Sequence, residues 1–191
     1  ADKVVFYIAD VSGHGVASAF VTVYLKRFIS ANLERYRRGS STLLTEPAEL
    51  LATLNSELLQ EKIGKYIALF YAVLDTRSSE ITYANAGAFP WPLLLQGQDA
   101  GYLPLKSTPV GMFDFSSYTN HSLPLQHDSR LLLFSDGILD MLPQQSTEQK
   151  LQYLLQSCLQ HSDIAALLQA LDIDPTAPLP DDLTILKLSR H

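Results

Sequence analysis

Three acidic segments of this sequence lie beside glycines or loops and could supply oxygen ligands to a metal ion. They are Asp10-Val-Ser-Gly-His-Gly15, Ser135-Asp-Gly137 and Asp181-Asp-Leu-Thr184. Carboxylates that meet at one end of a sheet repel one another unless a cation neutralises them. Hard divalent ions such as Mg²⁺ and Mn²⁺ prefer oxygen ligands. The pattern therefore predicts a metal site that activates water and holds phosphate oxygens.

Each of these aspartates also has an ordinary interpretation as a turn residue, because Asp and Gly suit turns for backbone reasons. Taken singly, Asp10, Asp136 or Asp181 favours that interpretation. Their recurrence at the ends of strands along one chain favours the metal site. Gly13 and Gly15 would let the chain turn sharply after Asp10.

The elements that must position these residues follow from the hydrophobic periodicity. A buried strand is predicted over residues 4–9, which places Asp10 at its C-terminal end. The other predicted strands cover residues 66–74, 80–84, 93–95, 101–105, 118–125, 130–134 and 183–188. Helices are predicted over residues 16–37, 47–64, 147–159 and 162–172. Strands in hairpins beside paired helices predict an α+β fold with antiparallel sheets.

The helix over residues 16–37 carries two adjacent apolar stripes. One contains Ala17, Phe20, Tyr24, Phe28 and Ala31, and the other contains Val21, Leu25, Ile29 and Leu33. So broad an apolar face predicts that the helix lies on a sheet and also contacts a second helix. The basic residues Lys26, Arg27, Arg35, Arg37 and Arg38 are interpreted as its solvated face.

Composition narrows the class of protein. The 191 residues are 47% hydrophobic and 18% charged, which suits one globular domain over 1–191. The net charge of −6 disfavours a nucleic-acid partner. A lone cysteine, Cys158, permits no internal disulfide. There is no long apolar run and no signal peptide, so neither a membrane span nor export is expected, and the predicted compartment is the cytoplasm.

Four motifs resemble those of the bacterial metal-dependent serine/threonine phosphatases of the sporulation and stress type, within the PP2C-like (PPM) superfamily. They are Asp-Val-Ser-Gly-His-Gly (10–15), Asn85-Ala-Gly87 before Pro-Trp-Pro-Leu-Leu, Leu-Leu-Leu-Phe-Ser-Asp-Gly (131–137) and Asp-Asp-Leu-Thr (181–184). They occur in the family's order. The chain also resembles the output domain of response regulators of the RssB type.

The resemblance implies a four-layer α-β-β-α sandwich with two central antiparallel sheets. It implies that Asp10 bridges two Mg²⁺ or Mn²⁺ ions, that the Val11 carbonyl binds the second ion, and that Asp136 and Asp181 bind the first. Asp182 is expected to hold an accessory ion or water, and Gly13, Gly15 and Gly137 are expected to be structural. His14 lies four residues after Asp10. At this spacing we expect His14 to pack in the turn or to lie beside the metal ligands, rather than to act as a general acid.

The implied reaction is hydrolysis of phosphoserine or phosphothreonine by metal-activated water, without a phosphoenzyme. The implied substrate is a phosphoprotein such as an anti-sigma-factor antagonist, and the implied regulator is an upstream receiver domain. A homodimer of a longer protein is possible on this basis. Because the sequence enters a strand almost at once, we expect a missing first strand and a missing upstream segment.

The chain departs from the family at three places, and the first two keep a second function open. The family usually has an acidic residue on a strand before Asp10, and no residue here matches it. Ala88 also stands where relatives often have His, and Asp140 stands nearest to a position that is often Glu. The alternative is therefore a catalytically weak or inactive adaptor that binds a sigma factor or its regulator.

Overall fold

The computed structural model describes residues 2–97 and 99–190 of the chain. The strands in chain order are β1 (Lys3–Val11), β2 (Ile67–Asp75), β3 (Glu80–Ala86), β4 (Leu93–Gln96), β5 (Asp99–Tyr102), β6 (His121–Pro124), β7 (Arg130–Phe134) and β8 (Ile185–Ser189). The α-helices are α1 (Val16–Arg37), α2 (Pro47–Glu61), α3 (Gly137–Asp140), α4 (Thr147–Gln160) and α5 (Ile164–Ala170). A 3₁₀ turn covers Leu43–Thr45.

The described residues form two compact units, each with its own antiparallel sheet. The N-terminal unit runs to Ala88 and includes Leu105–Leu125, and its sheet has the order β1-β2-β3-β6. The C-terminal unit comprises Phe89–Pro104 and the chain from Gln126 onward, and its sheet has the order β5-β4-β7-β8. Every strand pair is antiparallel. The predicted α+β class with antiparallel sheets is therefore observed.

The core of the N-terminal unit lies between its sheet and helices α1 and α2. Every second residue of β2, from Ile67 to Val73, is buried against them, as the period of a strand requires. The helices contribute the buried residues Val21, Leu25, Phe28, Leu50, Leu51, Leu54 and Leu58. Tyr71 is fully buried, and its hydroxyl donates to the Leu44 carbonyl at 2.8 Å, which satisfies the polar end of the ring.

The core of the C-terminal unit is built from its sheet and from helices α3, α4 and α5. Leu93, Leu132, Phe134, Ile138, Leu154, Cys158 and Leu167 are among its buried members. Helix α4 begins at a capping box in which Ser146 and Gln149 bond each other's backbone. Helix α5 begins at Asp163, whose carboxylate accepts from the Ala165 and Ala166 amides.

Helix α1 has the predicted bounds, but the first of its two predicted stripes is buried only at Phe28 and, in part, at Tyr24. Val21, Leu25 and Phe28 are buried, whereas Ala17 and Ala31 are exposed and Phe20 keeps 58% of its surface in solvent. The expected contact with a second helix is made by Tyr24, whose hydroxyl donates to Glu57 of α2 at 2.6 Å. The two adjacent apolar stripes therefore predicted a wider buried face on α1 than the structure has.

Several element boundaries also differ from the sequence prediction. Strand β5 covers Asp99–Tyr102 rather than 101–105, and β8 begins at Ile185 rather than at residue 183. The short helix α3 was not predicted at all. Four residues are too few to show a helical period, so its only sequence signal was the Asp136-Gly137 pair at its start.

Candidate active site

Asp10 lies next to the end of strand β1, where the first acidic segment leaves the sheet. In the register of β1 with β2, Asp10 faces Ala68 and Val11 faces Ile67, which is the last pair of the ladder. The Asp10 side chain is in an exposed position. The long β1–β2 ladder therefore fixes the backbone of this carboxylate while its side chain remains open to solvent.

The turn from β1 to α1 is held by hydrogen bonds of Ser12. The Ser12 amide donates to the Tyr66 carbonyl at 2.9 Å, and the Tyr66 amide donates to Ser12 Oγ at 3.0 Å. Ser18 Oγ, in the first turn of α1, donates to the Ser12 carbonyl at 3.1 Å. Gly13 and Gly15 have φ of +68° and +89°, a region in which side chains are disfavoured. His14 lies exposed between these glycines.

Asp136 lies between β7 and α3 and is the N-cap of that short helix rather than a plain strand end. Its Oδ1 accepts from the Gly137 amide at 3.1 Å, and the side chain is exposed. One hydrogen bond occupies only part of the capacity of a carboxylate, which can accept at about four positions. Asp136 therefore retains oxygen lone pairs that face solvent.

Ser135 joins the Asp136 segment to the loop that carries Asp181 and Asp182. Its hydroxyl donates to the Asp182 carbonyl at 2.9 Å and accepts from the Thr184 amide at 2.8 Å. Its own amide donates to the Thr184 carbonyl at 3.0 Å. These three bonds hold together two segments that are more than forty residues apart in the chain.

Gly137 permits the close approach of the same two segments. A Cβ at this position would lie 2.5 Å from the Asp182 carbonyl oxygen and 3.4 Å from Asp181 Cβ. Asp181 Oδ1 accepts from the Asp182 amide at 2.8 Å, and both acidic side chains are exposed. Asp181 and Asp182 precede β8 in a loop, so the expected strand end is instead a loop held against β7.

The structure thus divides the predicted residues into two groups. Asp136, Gly137, Asp181 and Asp182 come together in the C-terminal unit, and the segment 10–15 lies in the N-terminal unit. Among residues 2–97 and 99–190, no three Asp, Glu, His or Cys side chains gather closely enough to hold a metal.

The chemistry of the donors nevertheless fits a hard divalent cation. Asp10, Asp136 and Asp181 offer carboxylate oxygen, and Val11 offers a carbonyl. Neither Asp136 nor Asp181 forms an ion pair with a described residue. Exposed carboxylates on adjoining segments are the arrangement that a cation would stabilise.

Two residues near these segments carried no functional assignment from the sequence. Ser135 was visible within the Ser-Asp-Gly motif, but its role as a link could not be read from a single side chain. Lys65 follows Gly64 after α2, where a lysine is typical of a solvated helix end. The structure places its ammonium group beside Gly13.

Comparison with known proteins decides the family. The model of the family described as Stage II sporulation protein E (SpoIIE) matches residues 1–191. This chain belongs to the SpoIIE family. It is 31% identical over 141 residues to the phosphoserine phosphatase RsbP of Bacillus subtilis strain 168, an alignment that covers 70% of this chain and 32% of RsbP. The resemblance seen in the four motifs is confirmed at the level of this family.

Solved structures of the same fold extend over almost the whole of this SpoIIE-family chain. The RsbU and RsbW domains of a Mycobacterium tuberculosis protein superpose with a TM-score of 0.76 at 22% identity, covering 99% of this chain and 53% of that one. The SiaA-PP2C domain of Pseudomonas aeruginosa gives 0.75 at 21% identity, covering 100% and 76%. These similarities confirm the predicted PP2C-like fold class.

The SpoIIE-family chain spans about a third of the length of the curated relative RsbP. The activity of full-length RsbP is therefore a property of RsbP alone. An equivalent activity of this chain is a proposal. Within the described residues, no helix combines the length and apolar character needed to cross a membrane.

Proposed function

We propose that this chain is a metal-dependent phosphatase domain that hydrolyses phosphoserine or phosphothreonine in a protein. The observation that carries the proposal is the union of the Asp136 segment with the Asp181–Asp182 loop through Ser135 and Gly137. Ser135 and backbone groups make the hydrogen bonds between these two segments. Acidic side chains would therefore not be required there if the contact served structure alone. Membership in the SpoIIE family and similarity to a phosphoserine phosphatase support the same activity.

Each residue has a proposed role that follows from its position. Asp136 and Asp181 would hold a Mg²⁺ or Mn²⁺ ion, and Asp10 with the Val11 carbonyl would supply the further ligands. Asp182 would orient a water or an accessory ion, and Gly13, Gly15 and Gly137 allow the close turns. His14 would act on a neighbouring ligand rather than as the proton donor. A bound divalent ion would supply Lewis-acid chemistry, which lowers the pKa of water and stabilises charge on phosphate oxygens.

The substrate proposed for this site is a phosphorylated regulatory protein, such as an anti-sigma-factor antagonist. Asp10, Asp136 and Asp181 are all exposed, which suits a phosphorylated side chain carried on a protein surface. The description of the relative RsbP as a phosphoserine phosphatase supports a phosphorylated serine as the group that is hydrolysed. The domain would then be the output domain of a response regulator.

An adaptor that binds its partner without chemistry is the second candidate. Ala88 favours it, because the family often has an imidazole at this position and alanine has no polar side chain; the Ala88 carbonyl accepts from Asn85 Nδ2 at 3.3 Å. The two functions differ in what the carboxylates do. A phosphatase needs them for turnover, whereas an adaptor does not.

The test compares phosphate release by the wild-type chain with release by D10N, D136N and D181N. D114N is the matched control, because Asp114 is an exposed aspartate with no hydrogen bond or ion pair among the described residues. We expect each of the three site variants to lose at least about a hundredfold in kcat, as for groups that stabilise transition-state charge, and D114N to retain wild-type turnover. Full activity of D136N would overturn the proposed role of the carboxylates. Inactivity of the wild type on several phosphoproteins, with partner binding intact in D10N, D136N and D181N, would favour the adaptor.

A further inference from the structure

Lys65 places a positive charge beside the glycine turn that follows Asp10. A Cβ built at Gly13 would lie 2.9 Å from Lys65 Nζ. A side chain at position 13 would displace the ammonium group from this place. The side chain of Lys65 is partly buried, in contrast to Lys62, which is exposed at the end of α2.

The backbone around Lys65 is fixed on both sides. Next to it, Tyr66 exchanges two hydrogen bonds with Ser12, and Ile67 exchanges two with Val110 at 2.9 Å each. The Lys65 carbonyl is so close to Gly111 that a Cβ there would lie 3.1 Å away. The backbone beside Lys65 therefore has a defined position, and the Lys65 ammonium group lies at the Gly13 turn without an ion-pair partner among the described residues.

The charge on Lys65 is not neutralised in this arrangement. It forms no ion pair with any residue that the structure describes, although the sequence has 20 acidic and only 14 basic residues. An ammonium group has three donors and no acceptor, so its natural partners are anionic oxygens. Among the described residues, Lys65 is thus a cation without an ion-pair partner. In the chain it lies three residues before Ala68, which faces Asp10 in the β1–β2 pairing.

We propose that Lys65 binds the phosphoryl group of the substrate and sets the preference for phosphorylated over unphosphorylated partners. A phosphate monoester carries close to two negative charges at neutral pH, and lysine binds it as a point charge. The identity of this anion as substrate rests on the proposed phosphatase function. The presence of an oxyanion site at Lys65 does not, since an adaptor could use it to recognise a phosphoprotein.

The experiment measures binding before turnover. Fluorescence anisotropy would compare a phosphoserine peptide with its unphosphorylated form, using the wild-type chain, K65M, K65R and K62M in EDTA, where no hydrolysis is expected, and turnover is measured separately in Mn²⁺. K65M removes the charge and keeps a long side chain, and K65R restores a cation. K62M alters the net charge equally at an exposed lysine nearby. We expect K65M to lose at least about tenfold in affinity for the phosphopeptide, as for a charged hydrogen bond, with K65R and K62M close to the wild type.

The outcomes separate this inference from the proposed function. A K65M variant that keeps the wild-type preference for the phosphopeptide would overturn the role of Lys65, and so would a wild-type chain with no preference. Turnover is then measured on the same peptide, where the inference predicts a raised KM in K65M and rescue in K65R. Lys65-dependent binding without turnover by the wild type would support the oxyanion site and contradict the phosphatase. Turnover with an unchanged KM in K65M would contradict the oxyanion site alone.

Discussion

Gly137 lies where the Asp136 segment and the Asp181–Asp182 loop of the C-terminal unit approach each other. Its buried position beside the Asp182 carbonyl leaves no room for a methyl group. The atom in the way belongs to the backbone, which cannot move aside as the end of a flexible side chain can. The glycine therefore controls the position of Asp181 and Asp182 without offering any ligand itself.

We predict that G137A destabilises the chain by roughly 1–3 kcal/mol through overpacking and also lowers phosphatase activity. The matched control is G101A in the same unit, where a Cβ would meet no atom within 4 Å. Urea unfolding measures both free energies. Equal stability of G137A and G101A would contradict the close approach at Gly137.

Cys158 shows how a single buried group makes stability depend on pH. It lies in the core of the C-terminal unit, and burial raises the pKa of its thiol from 9.0 to about 12. The folded state therefore favours the neutral thiol. This contribution to stability is fully present below the unfolded pKa of 9.0 and is lost as the pH rises towards about 12.

We predict that the Cys158 thiol resists alkylation at pH 8 in the folded chain, because the thiolate is the reactive form and is suppressed by burial. Labelling with iodoacetamide, followed by mass spectrometry, measures the rate with and without denaturing urea. Labelling in urea should be faster by at least about an order of magnitude, on the basis of the thiolate fraction. Equally fast labelling of the native chain would show that Cys158 is accessible.

At the scale of elements, helix α1 was predicted only in part: its bounds were predicted correctly, but the extent of its buried face was not. Its bounds followed from periodicity, and its second stripe is the one that packs on the sheet. The first stripe is buried only in part, because Phe28 is buried and Tyr24 half-buried whereas Phe20 keeps 58% of its surface exposed. Periodicity shows which residues share a face, but only the partner element decides how much of that face is buried.

The Tyr24–Glu57 hydrogen bond joins α1 to α2, and we predict that its loss is measurable. Burial, reinforced by the Glu57 carboxylate, raises the pKa of Tyr24. Y24F should lower the free energy of unfolding by about 1 kcal/mol, the usual net value of a hydrogen bond. The control is Y36F on the same helix, whose hydroxyl bonds no described residue and whose effect should stay within about 0.5 kcal/mol. Similar losses in both variants would contradict a specific link.

Local sequence patterns do not encode contacts between distant segments, and this explains which parts of the site could be predicted. Asp10 and Asp136 stand out because each follows a strongly apolar strand and precedes a glycine. The link through Ser135, the short helix α3 and the loop position of Asp181 depend on contacts between distant segments, which local spacing does not encode. Lys65 has no local signal at all, because its neighbour Gly13 is more than fifty residues away.

At the scale of the whole molecule, family membership and residue chemistry support the same account. The SpoIIE-family match covers the chain, and the motifs that first indicated this family contain Asp10, Asp136 and Asp181. Each unit has its own buried core, which positions its share of these residues. The central claim is therefore that these carboxylates serve metal-dependent hydrolysis of a phosphoprotein.

The measurement that tests this claim most directly is phosphate release from a phosphoserine protein by the wild-type chain in Mn²⁺, in EDTA, and after Mn²⁺ is restored. We predict turnover in Mn²⁺, loss in EDTA and recovery when the metal returns, because the carboxylates alone cannot activate water as a divalent ion does. Circular dichroism in each buffer checks that the chain stays folded. Undiminished turnover in EDTA, or no turnover in Mn²⁺ by a folded chain that binds the phosphoprotein, would contradict the account.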